Sequence, residues 1–309
     1  MATPDPLLIN TGDFYFDKTT VSVDLSDSRK YSWVQQLGTQ VEFGLAGGRY
    51  LDITDITGGF VAAESGKKPI ANPDTIKGDI TVREWAVVIP MSLRLFRANP
   101  QGAVAKIQQK MPEAFARAFD DLATTGAGIG GQSALSSVTN SVNLGTSSVA
   151  TGGIWQDFNT GLSTLVHADK ELTGTVLDTF VEPVVNGAVD LQGRPLFVDT
   201  PVGPETNAVL RQGRLLGHPS QFVKKLRTGT GSTRVVGYMG DWTRLLWGTV
   251  GGIDYFVSRE GSYVDDSGTT HSAVQENLIL FRAEALIGVQ VADLNAFVKI
   301  QADTTSAAS

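Results

Sequence analysis

NLILFRAEALIGVQVADLNAFVKI, running from Asn277 to Ile300, decides how this 309-residue sequence is read. Apolar residues dominate it, its only charges are Arg282, Glu284, Asp293 and Lys299, and no proline interrupts it. Such a stretch predicts a long strand, a break at Asp293-Leu294-Asn295 and a shorter closing strand. Two extended segments at the end of a chain need strand partners from earlier in the sequence. Candidates stand upstream: GTVLDTFVE from Gly174, DLQGRPLFVD from Asp190, RVVGYMGDW from Arg234 and GGIDYFVSRE from Gly251 all combine β-type runs with turn residues.

Further toward the N-terminus the pattern changes. Asn99-Pro100 places a capping residue before a proline at the first helical position, and Val104, Ile107, Met111, Phe115, Ala118 and Leu122 follow at helical spacing. Pro112 removes one backbone hydrogen bond and predicts a bend in this long helix. Ile154, Phe158, Leu162 and Leu165 make a second amphipathic helix, so the fold class is α+β. Between Val41 and Arg97, the runs YLDITDI and DITVREWAVVI flank ESGKKPIANPDTIKGD, which predicts two strands around a long hairpin loop. A loop of this length either projects from the body or lies on it as an ordinary surface hairpin. Residues 1–40 mix Pro, Asp, Thr and Ser with Phe14, Tyr15, Phe16, Tyr31 and Trp33, which reads as an extended arm whose rings need another surface to cover them.

Composition excludes several functions. With 41% hydrophobic and 18% charged residues the chain can bury a sizeable core, and its length suggests about two domains. A net charge of −7 argues against tight nucleic-acid binding, which draws on clustered Lys and Arg. No cysteine is present, so disulfides, thiolate nucleophiles and Cys-ligated metals are excluded. MATPDPLLIN has neither the basic nor the apolar region of a signal peptide, and no run approaches the ~20 apolar residues of a membrane span. The chain is expected to work where it is made, away from membranes.

A search for catalytic chemistry returns little. His167, His218 and His271 are isolated in sequence, with no spacing that suggests a metal site or a carboxylate partner. Gly126, Gly128 and Gly131 fit G-x-G-x-x-G but follow a helix, whereas a dinucleotide site needs a strand before the glycines. No G-x-S-x-G, P-loop or HExxH motif occurs, and Asp13, Asp17, Asp24 and Asp27 read as a solvated acidic face of the arm. No cofactor or metal is expected.

The C-terminal third carries a resemblance. GYMGDWTRLLWGTVGGIDYFVSREGSY, a polar loop, and then the opening stretch resemble the signature of tailed-bacteriophage major capsid proteins of the Hong Kong 97 type. In that signature a Gly-Asp-aromatic turn (Gly240, Asp241, Trp242) leads to a strand, a loop, a long strand bearing Arg-x-Glu (Arg282, Glu284) and a closing Ala-Phe-Val strand (Ala296, Phe297, Val298). DLQGRPLFV is similar to a Gly-Arg-Pro-Leu strand found earlier in such proteins, and the remaining chain fits by its layout.

The resemblance implies an N-terminal arm over 1–40, an extended loop hairpin with flanking strands over 41–98, and a spine helix with its following loop, part of a peripheral domain, over 99–150. It implies an axial domain over 151–250, the peripheral domain's long strands over 251–292, and a final strand returning to the axial domain over 293–309. The implied function is a structural one: self-assembly as hexamers and pentamers into the icosahedral virion shell, in the host bacterial cytoplasm. The implied partners are other copies of the chain, portal and scaffold proteins, and packaged double-stranded DNA as a non-specific neighbour. Because the arm begins within a few residues of Met1, scaffolding is expected to be a separate protein or to have been removed. The founding member of the family welds its subunits by an isopeptide bond between a lysine and an asparagine, assisted by a glutamate. By motif position Asn277 and Glu284 match that pair, with Lys67 or Lys68 as the nucleophile. The plainer reading makes Asn277 a turn residue, pairs Glu284 with Arg282 and leaves both lysines solvated. The alternatives are an encapsulin nanocompartment shell of the same fold and, from another class, an α+β hydrolase.

Overall fold

The computed structural model describes residues 31–56, 60, 67–68, 70–71, 73–98, 100–126, 134–148, 151–188, 198–199 and 211–302. The expected arm falls outside them as far as residue 30, as do Asn99 with its expected cap, Gly128 and Gly131 of the glycine pattern, and Gly193-Arg194-Pro195-Leu196. A short helix α1 (Trp33–Leu37) leads into β1 (Thr39–Gln40), β2 (Gly48–Asp55), β3 (Asp74–Ile80), β4 (Arg83–Ser92), α2 (Leu93–Ala98) and the long α3 (Pro100–Thr125). Then come β5 (Ser141–Asn143), α4 (Gly153–His167), β6 (Gly174–Asp178), α5 (Glu182–Gly187), β7 (Val198–Asp199), β8 (Arg211–Leu215), β9 (His218–Val223) and β10 (Val235–Gly240). The last elements are β11 (Leu245–Ser258), β12 (Ser262–Val264), β13 (Thr270–Ser272), β14 (Leu278–Val291) and β15 (Phe297–Gln301). The opening stretch is thus a long strand, a single 3-10 turn at Leu294–Ala296 and a closing strand.

The described chain divides into two compact units. The first takes Arg83–Phe119 and Thr249–Ile287. There β14 runs antiparallel to β4, in register from Leu278↔Ser92 to Ile287↔Arg83, with β11 on its other side. Met111, Phe115 and Phe119 recur every four residues on α3, forming one apolar stripe, and all three are buried. Phe115 meets Trp85 and Phe119 edge to face, with ring centres 5.7 and 5.6 Å apart. Such rings bury large apolar areas and add about 0.5–1.5 kcal/mol per pair through edge-to-face geometry.

The second unit takes Trp33–Val82, Asp120–Gly248 and the chain from Gly288. Its seven-stranded sheet has the order β5-β15-β10-β6-β9-β8-β7. Strand β10 is buried along its whole length, which explains why VVGYMG has no polar alternation. β10 runs antiparallel to both β15 and β6. A methyl group on Gly240 would stand 2.2 Å from the Ala296 carbonyl oxygen, so that position admits no side chain. Phe158, Leu165, Leu177, Met239, Val298 and Ile300 lie in one buried cluster where α4 covers the sheet. After β10 the Asp241 carboxylate accepts bonds from the amide (3.1 Å) and hydroxyl (2.6 Å) of Thr243, which turns the chain and seats Trp242 between Trp33 and Phe297, 5.4 and 5.2 Å away. Asp293 repeats the device by accepting from the Asn295 amide at 2.9 Å, and this is the physical content of the Asp-Leu-Asn break.

The hairpin departs from its expected outline. The sequence predicts one strand over Asp79–Ile89, but β3 ends at Ile80 and β4 begins at Arg83, in a different sheet. The residues Asp74–Asp79, expected in a polar loop, instead pair with β2 through Tyr50↔Gly78 and Ile53↔Thr75. Thr75, Ile76 and Ile80 supply β-forming side chains, Ile76 and Ile80 on one face, and ladder pairing outweighs the polar composition around them.

One buried carboxylate fastens the loop ahead of α4. Asp157, 2% exposed, accepts bonds from the Gly145 amide (2.7 Å), the Thr146 hydroxyl (3.0 Å) and the Ser147 amide (3.1 Å). Asp157→Ala should cost about 3 kcal/mol, because it leaves three donors without a charged acceptor. A denaturation midpoint equal to that of the parent chain would contradict this role.

Candidate functional site

The β2–β3 hairpin presents apolar side chains that the described chain does not cover. Leu51 and Ile53, two residues apart and so on one face of β2, are exposed, as are Ile56, Phe60 and Ile70 farther along the hairpin. Phe60 is 109% exposed, so none of the described residues covers it appreciably. Lys67 and Lys68 are also exposed in this segment.

Asn277 stands at the opposite end of the β4·β14 ladder from Ile287. It is exposed, it adopts a left-handed φ of 53°, and its carbonyl accepts the Leu93 amide at 2.8 Å. Asparagine tolerates this conformation better than most residues, so the turn into β14 suits its identity. Glu284 forms an ion pair with Arg282 Nε at 2.9 Å, and the Arg282 guanidinium lies 5.4 Å from the Phe256 ring centre. Both residues therefore occupy the places given by the plainer sequence reading. Seven residues of strand span about 23 Å, so one copy does not bring Asn277 and Glu284 together.

The structure corrects the view of His271 as isolated. Its Nδ1 lies 3.0 Å from both carboxylate oxygens of Glu276, its Nε2 lies 3.3 Å from Asp265 Oδ2, and its ring stacks on Tyr263 at 5.0 Å. The β12–β13 hairpin folds Asp265 back onto His271, while the Glu276 amide bonds to the Ser272 carbonyl. The spacing Asp265…His271…Glu276 was visible in the sequence, but only the hairpin makes the three residues neighbours.

Residues 18–302 match the Phage capsid family. The chain belongs to the phage capsid family. Over 98% of its length, and 95% of the relative's, it is 32% identical to a probable major capsid protein, gp17, of Mycobacterium phage L5. A solved chain from Gordonia phage Cozz matches 96% of this capsid chain and 92% of its own length, with a TM-score of 0.66 at 20% identity. A capsid chain of an empty GTA particle computed with C5 symmetry matches 95% and 96%, with a TM-score of 0.64 at 17% identity. These structural neighbours share the fold expected from the opening stretch. The capsid chain has the structural role of a major capsid protein, not an enzyme's, and takes its place in the virion as many copies forming a shell. The sequence relative is a phage protein, which decides between the two shell readings in favour of the capsid.

In the capsid chain, His271 is raised above its ordinary pKa of 6.5, first by its bond to Glu276 and then by that to Asp265. Asp265 is held down at about 2, chiefly by the Ser267 hydroxyl and the Thr269 amide. A histidine raised on folding contributes stability in full below about pH 6.5, and that contribution is lost as pH rises through the higher folded value. An NMR titration should place the His271 midpoint above 6.5 and Glu276→Gln should move it back toward 6.5. A parent midpoint at or below 6.5 would contradict the clip.

Proposed function

We propose that copies of this capsid chain close, as hexamers and pentamers, into an icosahedral shell that encloses a double-stranded DNA genome. Assembly takes place in the host bacterial cytoplasm with scaffold and portal proteins. The observation that carries this reading is the uncovered hairpin. A two-stranded β-ribbon is marginal alone, and this one exposes Leu51, Ile53, Ile56, Phe60 and Ile70. Covering that surface with a neighbouring copy yields about 25 cal/mol per Å² of apolar area removed from water. Head-to-tail contacts of this kind close into rings when the rotation permits. In this reading residues 151–250 and 293–309 form the axial domain, and α3 with the long strands of 251–292 forms the peripheral one.

Covalent reinforcement is the second part of the proposal. The amine of Lys67 or Lys68, in its neutral form, attacks the side-chain carbonyl carbon of Asn277 in another copy. A C–N bond forms, the asparagine's own C–N bond breaks, and ammonia leaves. A Glu284 carboxylate takes the proton from the attacking amine and returns it to the departing nitrogen. The exposure of Asn277 and of both lysines supports this reading, since a neighbour can reach them. The strand distance between Asn277 and Glu284 requires that the groups come from different subunits.

Negative-stain microscopy of the chain co-expressed with its scaffold should reveal closed hollow shells several hundred ångströms across. A strictly monomeric chain under all such conditions would contradict assembly. Boiling mature shells in detergent should leave a ladder of covalent oligomers that disappears in Asn277→Ala. A single band at the monomer mass would reject the weld while leaving the shell intact as a conclusion.

A further inference from the structure

Against a net charge of −7, one loop of the capsid chain is purely basic. Between β9 and β10 runs KKLRTGTGSTR, Lys224 to Arg234, with four cations and no Asp or Glu. Its only apolar residue, Leu226, is buried, whereas Lys224, Lys225, Arg227, Thr230, Ser232 and Thr233 are exposed. The loop is built rather than loose. The Thr228 amide donates to the Val235 carbonyl at 3.1 Å, and the Val235 amide returns a bond to the Thr228 carbonyl at 2.9 Å, closing the turn. At its base the buried Asp178 carboxylate accepts the Leu226 and Arg227 amides at 2.9 and 3.0 Å through Oδ2, and the Phe180 amide at 2.8 Å through Oδ1.

That one carboxylate fixes both a ring and the arginines beside it. The guanidinium carbons of Arg227 and Arg234 stand 5.4 and 5.6 Å from the centre of the Phe180 ring. Two like charges converge on one ring, and the carboxylate at the loop base is engaged with main-chain amides. Among the described residues neither arginine, nor Lys224 or Lys225, makes an ion pair. Convergent cations without a counter-anion constitute a site for an external anion.

We propose that this loop contacts the phosphodiester backbone of the packaged DNA. The inference rests on the genome-container reading above. A phosphate backbone is favoured over an acidic protein segment because the loop offers cations and hydroxyls without an exposed apolar anchor. Those are the groups that hold phosphates without reading sequence. Confined to one loop of an otherwise acidic chain, the contact is weak and strongly salt-dependent, and a genome held in this way can leave.

The test uses the full-length, unassembled chain with a mixed-sequence duplex of about 30 base pairs, titrated at several salt concentrations. Each phosphate contact contributes about 0.9 to the slope of log K against log salt, so Arg227→Gln/Arg234→Gln should lower that slope by about 2. Arg227→Lys/Arg234→Lys should restore it, which separates charge from fold. In DNA-filled shells, ultraviolet cross-linking should attach nucleotides to the 224–234 peptide. An unchanged slope in the Gln variant, or nucleotides attached only elsewhere, would overturn the proposal. So would carbodiimide coupling of Lys224 or Lys225 to a carboxylate of a neighbouring chain in filled shells, because the occupant would then be an acidic protein segment. Shells that never hold DNA would contradict the container reading instead, and the duplex titration would still decide the loop.

Discussion

Both units of this fold depend on the main-chain hydrogen bonding of one continuous stretch. β14 supplies the strand that pairs with β4 over its full length, and β15, reached after a single Asp-capped turn, supplies the strand beside the buried β10. Removing either pairing would strand a row of buried backbone donors and acceptors, each costly to leave without a partner. The turn is held as firmly as the strands. Asp293 accepts the Asn295 amide and pairs with Lys170 at 2.8 Å, while the Asp241 amide bonds to the Ala296 carbonyl at 2.9 Å. The close approach of Gly240 to the Ala296 carbonyl follows from this crowding.

What the fold leaves undone is as informative as what it completes. The two cores bury Phe115, Phe119, Phe158 and Phe297. The hairpin does the opposite, displaying Leu51, Ile53 and Phe60 to solvent in a single copy. A ribbon left bare in this way holds apolar surface in a place where another copy can cover it. In the assembly proposed above, a neighbouring copy supplies that cover, and the ribbon's marginal stability alone becomes part of the driving force for the shell.

Much of this architecture was legible in the sequence, for physical reasons that differ by element. The apolar run of β14 and β15 and the four-residue stripe of Met111, Phe115 and Phe119 are periodic signals, and periodicity survives translation into structure. The β3 strand was hidden because its composition, Asp74 to Asp79, is polar; only its partner across the hairpin makes it a strand. The His271 clip was hidden for a related reason, since its carboxylates stand six and five residues away and meet it only through a turn. The convergence of Arg227 and Arg234 on Phe180 spans more than fifty residues of sequence and no local pattern announces it. Among the cross-link candidates, the sequence located an asparagine at the head of the long strand and the Arg282–Glu284 pair on it, and the structure added the asparagine's exposure and left-handed backbone.

The central claim is that the bare face of the hairpin is an interface between copies and contributes nothing to the fold of one copy. Leu51→Asp/Ile53→Asp places two charges on that face without touching either core. Sedimentation velocity of this variant beside the parent, both expressed with scaffold, tests the claim most directly. The account predicts a folded chain with the parent's near-ultraviolet circular dichroism that stays in small species and forms no shells. Shells of parental size and yield from the doubly charged variant would contradict it.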